Sequence, residues 1–123
     1  MRVGQSNAAD RGKSPRARRR SNDPPTLILT SLAGGAKHGH ALLKDIEEFA
    51  GVTLGPGALY GAITRLEERG LIEALDSDDR RRPYQITANG REALADAMAQ
   101  MRALVEVGHA RLGMAPLPRP RLA

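Results

Sequence analysis

At Gly70 the apolar rhythm of the chain changes from a period of about 3.6 residues to one of about 2, so a run of helices must give way there to extended strands. Three helices are predicted upstream. Asp23 followed by Pro24 supplies a capping carboxylate and a first-turn proline, and Gly34-Gly35 supplies a stop, which together delimit a helix from Pro24 to about Ala33. Between Gly39 and Gly51 the residues Leu42, Leu43, Ile46, Phe49 and Ala50 recur at helical spacing, with Lys44, Asp45, Glu47 and Glu48 on the other side. The third helix starts at Pro56, with Gly55 as N-cap and Leu54 packing on Leu59 as a hydrophobic staple, and runs to about Arg69.

Beyond Gly70, Leu71 to Leu75 and Tyr84 to Ile86 read as two short strands joined by the charged loop 76–82, and Pro83 is tolerable only at a strand start or edge. Thr87 then caps a long final helix. This order describes a mainly α fold with a small β-hairpin, a winged helix-turn-helix whose third helix and hairpin tip would face DNA together. The expected organisation is a basic arm over residues 1–23, a winged-helix domain over 24–87, a dimerisation helix over 88–112 and a Pro-rich, extended, unpacked tail over 113–123.

Charge is distributed unevenly. The net +5 of the 123 residues equals the charge of the arm alone, where seven basic residues face Asp10 and Asp23, while Pro24 to Leu112 sums to −2 and the tail to +2. An anionic partner must therefore be met by local clusters of the domain, by the arm, or by both. The arm holds almost no large apolar residue and is expected to be disordered. With no Cys there is no disulfide frame and no thiolate metal site. Residues 1–23 are too polar for a signal peptide and no apolar run approaches the ~18–20 residues of a membrane span, so the expected location is the cytoplasm, with no membrane partner.

Five strings stand in order along the domain: His38-Gly39-His40-Ala41-Leu42-Leu43-Lys44, Gly55-Pro56-Gly57-Ala58-Leu59-Tyr60, Arg65-Leu66-Glu67-Glu68-Arg69-Gly70-Leu71-Ile72, Arg80-Arg81-Arg82-Pro83-Tyr84-Gln85-Ile86-Thr87, and Asn89-Gly90-Arg91. Together they resemble the PadR-like transcriptional regulators over about Thr26 to Leu112. The resemblance implies a dimeric, ligand-responsive repressor whose third helix enters the major groove, whose wing touches phosphate or minor groove, and whose last helix pairs subunits. His40 stands where that family often has Tyr, and Gly55 where it often has a Ser cap, a change that costs only a few tenths of a kcal/mol. Family members that take flat aromatic drugs between the last helices use aromatic stacking. This chain has no Trp, so multidrug sensing does not carry over and the identity of any small-molecule effector stays open.

On the third helix Leu59, Ile63 and Leu66 point inward at about 100° per residue, while Gly57, Gly61, Thr64 and Glu68 point outward, flanked by Tyr60 and Arg65. Gly57 and Gly61 allow close approach to a groove wall, Thr64 can meet a thymine methyl or base edge, Tyr60 can reach phosphate or stack, and Arg65 can grip guanine or phosphate. The plainer alternatives are partial core packing for Tyr60 and surface ion pairs of Arg65 with Glu68 or of Glu67 with Arg91. Glu67 and Glu68 direct the N-terminal half of the helix to the groove. At the wing tip Arg80, Arg81 and Arg82 are expected on phosphate, against neutralisation by Asp76, Asp78 and Asp79, with Lys44 and Lys37 adding backbone contacts from the second helix.

In the last helix Leu94, Met98, Met101, Val105 and Leu112 form a coiled-coil-like seam, expected to pair two copies of the chain; the alternative is packing on its own domain. The histidines His38, His40 and His109 have no ligand spacing, Ser31 and Ser77 lack a His and Asp partner, and no cofactor motif is present, so an enzyme is not expected. The reading is a sequence-specific regulator of double-stranded DNA acting at a palindromic operator. Its rival is a winged-helix protein-interaction module, favoured by the acidic domain and the donor-poor face of the third helix.

Overall fold

A computed structural model of the chain describes residues 23–77, 81–116 and 118. The arm up to residue 22 and, at the wing tip, Asp78, Asp79 and Arg80 lie outside the described residues. The elements are α1 (Pro24–Ala33), β1 (Lys37–His38), α2 (Gly39–Ala50), α3 (Pro56–Glu68), β2 (Ile72–Ala74), β3 (Pro83–Ile86) and α4 (Ala88–Arg111).

Local chemistry accounts for most of these boundaries. The Asp23 carboxylate accepts the Thr26 amide at 3.3 Å and the Thr26 hydroxyl at 3.0 Å, capping α1. Gly55 caps α3 with its backbone alone and Pro56 opens it. At the other end of α3 Gly70 adopts a left-handed conformation, and the amides of Gly70 and Leu71 donate to the carbonyls of Glu67 and Leu66, a Schellman stop that turns the chain directly into β2. Thr87 caps α4 by accepting the Gly90 amide at 3.0 Å.

The sheet has three strands, not the two of a simple hairpin: β1 pairs antiparallel with β3, which pairs with β2, in the order β1-β3-β2. Lys37 lies opposite Tyr84 and His38 opposite Pro83. Pro83 thus opens the central strand, where the loss of its amide costs one ladder bond at the end only. A two-residue strand carries no periodicity, and β1 exists only because β3 offers it an edge.

The core gathers Ile28 and Leu32 of α1, Leu42 and Ile46 of α2, Leu59, Ile63 and Leu66 of α3, and Ile72, Ile86 and Leu94. Helix α1 is its hub, touching α2, α3, α4 and β3. Phe49 departs from expectation, lying 47% exposed. At about 100° per residue it falls on the opposite flank of the Leu42–Ile46 line from Leu43 and Ala50, and only the latter flank packs against the core. A polar clasp supports the hub: the buried Ser31 hydroxyl donates to Asp45 at 2.6 Å, and the Lys37 ammonium donates to the Ser31 and Gly35 carbonyls at 2.6 and 3.1 Å, with Asp45 3.9 Å away. Lys37 is therefore committed to holding the α1–β1 turn rather than to an outside partner.

Gly90 shows why α4 can begin where it does. A Cβ at this position would lie 2.1 Å from the Leu71 carbonyl oxygen and 2.7 Å from Ile86 Cγ1. That carbonyl cannot yield, since it accepts the Thr87 amide at 3.1 Å. Gly90→Ala is expected to pry the first turn of α4 off the sheet and destabilise the domain by about 2–3 kcal/mol in urea unfolding. A shift below about 0.5 kcal/mol would show that the packing there is not tight.

Candidate nucleic-acid interface

Five of the expected DNA contacts sit on α3 and all are turned from the core. Gly57, Tyr60, Thr64 and Arg65 are exposed and Gly61 is half-buried, while Leu59, Ala62, Ile63 and Leu66 are buried behind them. A Cβ at Gly57 would meet nothing within 4 Å, and one at Gly61 would touch only the Arg65 guanidinium at 3.6 Å, so this strip offers backbone and a folded-back arginine to whatever approaches it. The Thr64 hydroxyl donates to the Tyr60 carbonyl at 3.0 Å, which leaves its lone pairs and methyl group for a partner. Among the described residues Arg65 forms no ion pair with Glu68, nor Glu67 with Arg91.

The wing meets this helix across a cleft of about 300 Å³. Its walls are the β1–α2 corner (His38, Gly39, His40), Tyr60 of α3, and Arg81, Arg82 and Tyr84 at the base of the wing. Arg81 and Arg82 are exposed, so the structure brings two of the three wing arginines beside Tyr60. Lys44 is exposed on α2 and does not line the cleft. Tyr60 is half-exposed, at 50%, yet its ring end lies against Gly39: a Cβ there would fall 2.3 Å from the hydroxyl oxygen. One edge of Tyr60 is thus packed and the other open. Burial, chiefly, pushes the Tyr84 hydroxyl above the ordinary tyrosine range, the Glu67 carboxylate and Tyr60 add to the rise, and Arg82 opposes it. Tyr84 accordingly stays a neutral hydrogen-bond donor throughout the physiological range.

A family model described as "Transcriptional regulator PadR-like family" matches residues 28–96, a span that contains most of α1, the cleft, the wing and the start of α4. The chain belongs to the PadR-like family. Members of this family are DNA-binding regulators of transcription, not enzymes. A PadR family transcriptional regulator from Eggerthella lenta superposes with a TM-score of 0.71 at 25% identity, covering 85% of this chain and 94% of that one. A transcriptional regulator from Clostridium thermocellum gives 0.68 at 25% identity, covering 79% and 95%. RosR from H. salinarum gives 0.60 at 29% identity, covering 67% and 74%. An uncharacterized 37.1 kDa protein in transposon TN4556 of Streptomyces fradiae is 45% identical over 85 residues, 67% of this chain. The PadR-like chain spans 25% of the length of that transposon protein.

The last helix divides the expected seam. Leu94 is 7% exposed and belongs to the domain core, where α4 meets α1 and β3. Met98, Val105 and Leu112 are exposed, at 51%, 41% and 76%, and Met101 is half-buried. Leu104, 56% exposed, lies off the expected seam, yet it follows Met101 by three residues and continues the line Leu94, Ala97, Met101, Leu104, Gly108 at heptad spacing. The tail also departs from expectation. Gly113 turns left-handed, the amides of Gly113 and Met114 donate to the Ala110 and His109 carbonyls, and the chain reverses. Arg102 then donates to the Pro118 carbonyl, and His109 Nδ1 lies 3.1 Å from the Ala115 carbonyl. Through these contacts the described tail residues Ala115 and Pro118 lie along the Arg102–His109 edge of α4, and Leu104 is exposed.

Among the described residues no three His, Asp or Glu side chains gather as a metal site, and no helix is long and apolar enough to cross a membrane.

Proposed function

We propose that the chain is a homodimeric cytoplasmic repressor that binds an inverted-repeat operator, inserting the N-terminal half of α3 in the major groove while the wing arginines hold phosphate. The observation that carries this reading is the placement of Tyr60 of α3 and Arg81 and Arg82 of the wing on one cleft, beside a donor-poor strip of glycines that admits a groove wall. The exposed Met98, Leu104 and Val105 beside half-buried Met101 support pairing through α4, which would set two α3 helices about one helical turn apart on DNA. RosR, one of the similar proteins, has also been solved in complexes.

The experiment is selection of genomic fragments by the purified chain at moderate salt, read by sequencing, with a form lacking residues 1–22 in parallel. Recovery of one inverted repeat by both forms is the expected result. Diffuse recovery by the full chain and none by the shortened form would transfer binding to the arm and leave the winged helix as a protein-interaction module.

A further inference from the structure

Both tyrosines of the chain, although 24 residues apart, line the same cleft. We propose that this cleft is a phosphate socket, in which the hydroxyls of Tyr60 and Tyr84 and the guanidinium of Arg82 close on a single phosphate group between the β1–α2 corner and the wing. The proposal extends the DNA-binding reading when the phosphate belongs to the duplex backbone; a free phosphate ester offers the same chemistry.

The lining is built for an oxyanion. Among the described residues it holds guanidinium, phenol and imidazole groups and no carboxylate. Glu67 acts on Tyr84 from outside the lining and limits the anion on that side. Tyr84 remains a donor, and Arg82 has no ion-pair partner among the described residues. His38 adds a second kind of observation. Its Nδ1 is buried with no hydrogen-bond partner among the described residues, a position tolerable for a bare lone pair and costly for an N–H. The ring proton therefore belongs on Nε2. His38 gives no side-chain cap to α2, so the first-turn amides beside the cleft are also unclaimed by a side chain and favour negative charge.

Gly39 positions the tyrosine. Its missing Cβ is the space taken by the Tyr60 ring end, 2.3 Å from the hydroxyl oxygen and 2.9 Å from Cζ. Since the obstructing atoms are the far end of a swinging side chain, Gly39→Ala should fold normally and displace the hydroxyl without deleting it.

The test uses the full chain and a duplex bearing the selected operator, in which one phosphate at a time is replaced by a neutral methylphosphonate. For the unaltered protein, one position in each half-site should weaken binding about tenfold. In a Tyr60→Phe, Tyr84→Phe double variant that same replacement should cost nothing further, and Gly39→Ala should reproduce the loss in part, with circular dichroism confirming the fold of both. In parallel, inorganic phosphate is titrated into the DNA-free chain while the ring signals of the two tyrosines are followed by NMR. Saturable shifts of both rings, abolished by Arg82→Ala, with no position-specific methylphosphonate coupling, would support the socket and assign it to a free phosphate ester. Equal methylphosphonate penalties in both proteins together with no saturable shift overturn it. Should the chain select no operator at all, the DNA reading fails, while the phosphate titration still decides the socket.

Discussion

A Met101→Lys chain is expected to sediment as a monomer at concentrations where the proposed pairing makes the unaltered chain a dimer. Met101 is half-buried but not among the core residues, to which α4 contributes Leu94, so the ammonium does not enter the domain core and the fold should survive. In a dimer built on the Met101–Leu104 line, a two-fold axis brings the two substituted positions to the same small region, where two unpaired charges would lose their water. Binding to an intact inverted repeat should fall by roughly 10²-fold or more, because the second half-site no longer benefits from linkage to the first, while binding to an isolated half-site stays as it was. Leu94→Ala provides the contrast: it removes a core side chain and should cost about 2–5 kcal/mol of domain stability without separating subunits selectively. A Met101→Lys chain that remains dimeric in analytical ultracentrifugation would place the subunit interface elsewhere.

The second large effect is expected at the wing. Replacing Arg80, Arg81 and Arg82 together by Ala should weaken binding to every duplex by a similar factor and lower the slope of log affinity against log salt by up to about 0.9 for each phosphate that the wing no longer neutralises. Sequence preference should change little, since the proposed reading places base contacts on α3. Arg65→Ala should do the reverse, relaxing preference at one base pair per half-site at a cost of about 1–3 kcal/mol with a smaller change in slope. An unchanged salt slope in the triple variant would remove the wing from the DNA interface and leave α3 to act alone.

Features with local causes were legible in the sequence. Asp23-Pro24, Gly55-Pro56, Gly70 and Thr87 act through hydrogen bonds within a few residues of themselves, and the helices begin and end beside them. Buried Leu59, Ile63 and Leu66 followed from helical spacing in the same way. What spacing cannot supply is the neighbour. The apolar pattern of α4 runs from Leu94 through Met98 and Met101 to Val105, and spacing alone does not tell that Leu94 is covered by the domain and Met98 is not. Phe49 fits the stripe of α2 and still has about half its surface open. The cleft joins three segments about twenty residues apart, and His38 and Tyr84 meet Tyr60 only because the sheet acquires β1 as its third strand. Leu104 is different: its three-residue step from Met101 is present in the sequence, and helical spacing alone suffices to place it on the same line as Met101.

The 24 residues of α4 make a rod of about 36 Å that is seated at one end, through Thr87 and Gly90, on the strands that carry the wing. At Gly90 there is no slack, since not even a methyl group fits between helix and strand. The rod and the wing must therefore move as one piece. A pivot of about 5° at the seated end carries the far end through about 3 Å, close to the ~3.4 Å that each nucleotide of a strand advances along the DNA axis. In a paired assembly the same gearing runs backwards: a slight change in how two rods cross would shift each reading head by one step along its track. Control over occupancy could then be exerted at the crossing, with no ligand pocket near the DNA and no rearrangement inside either domain.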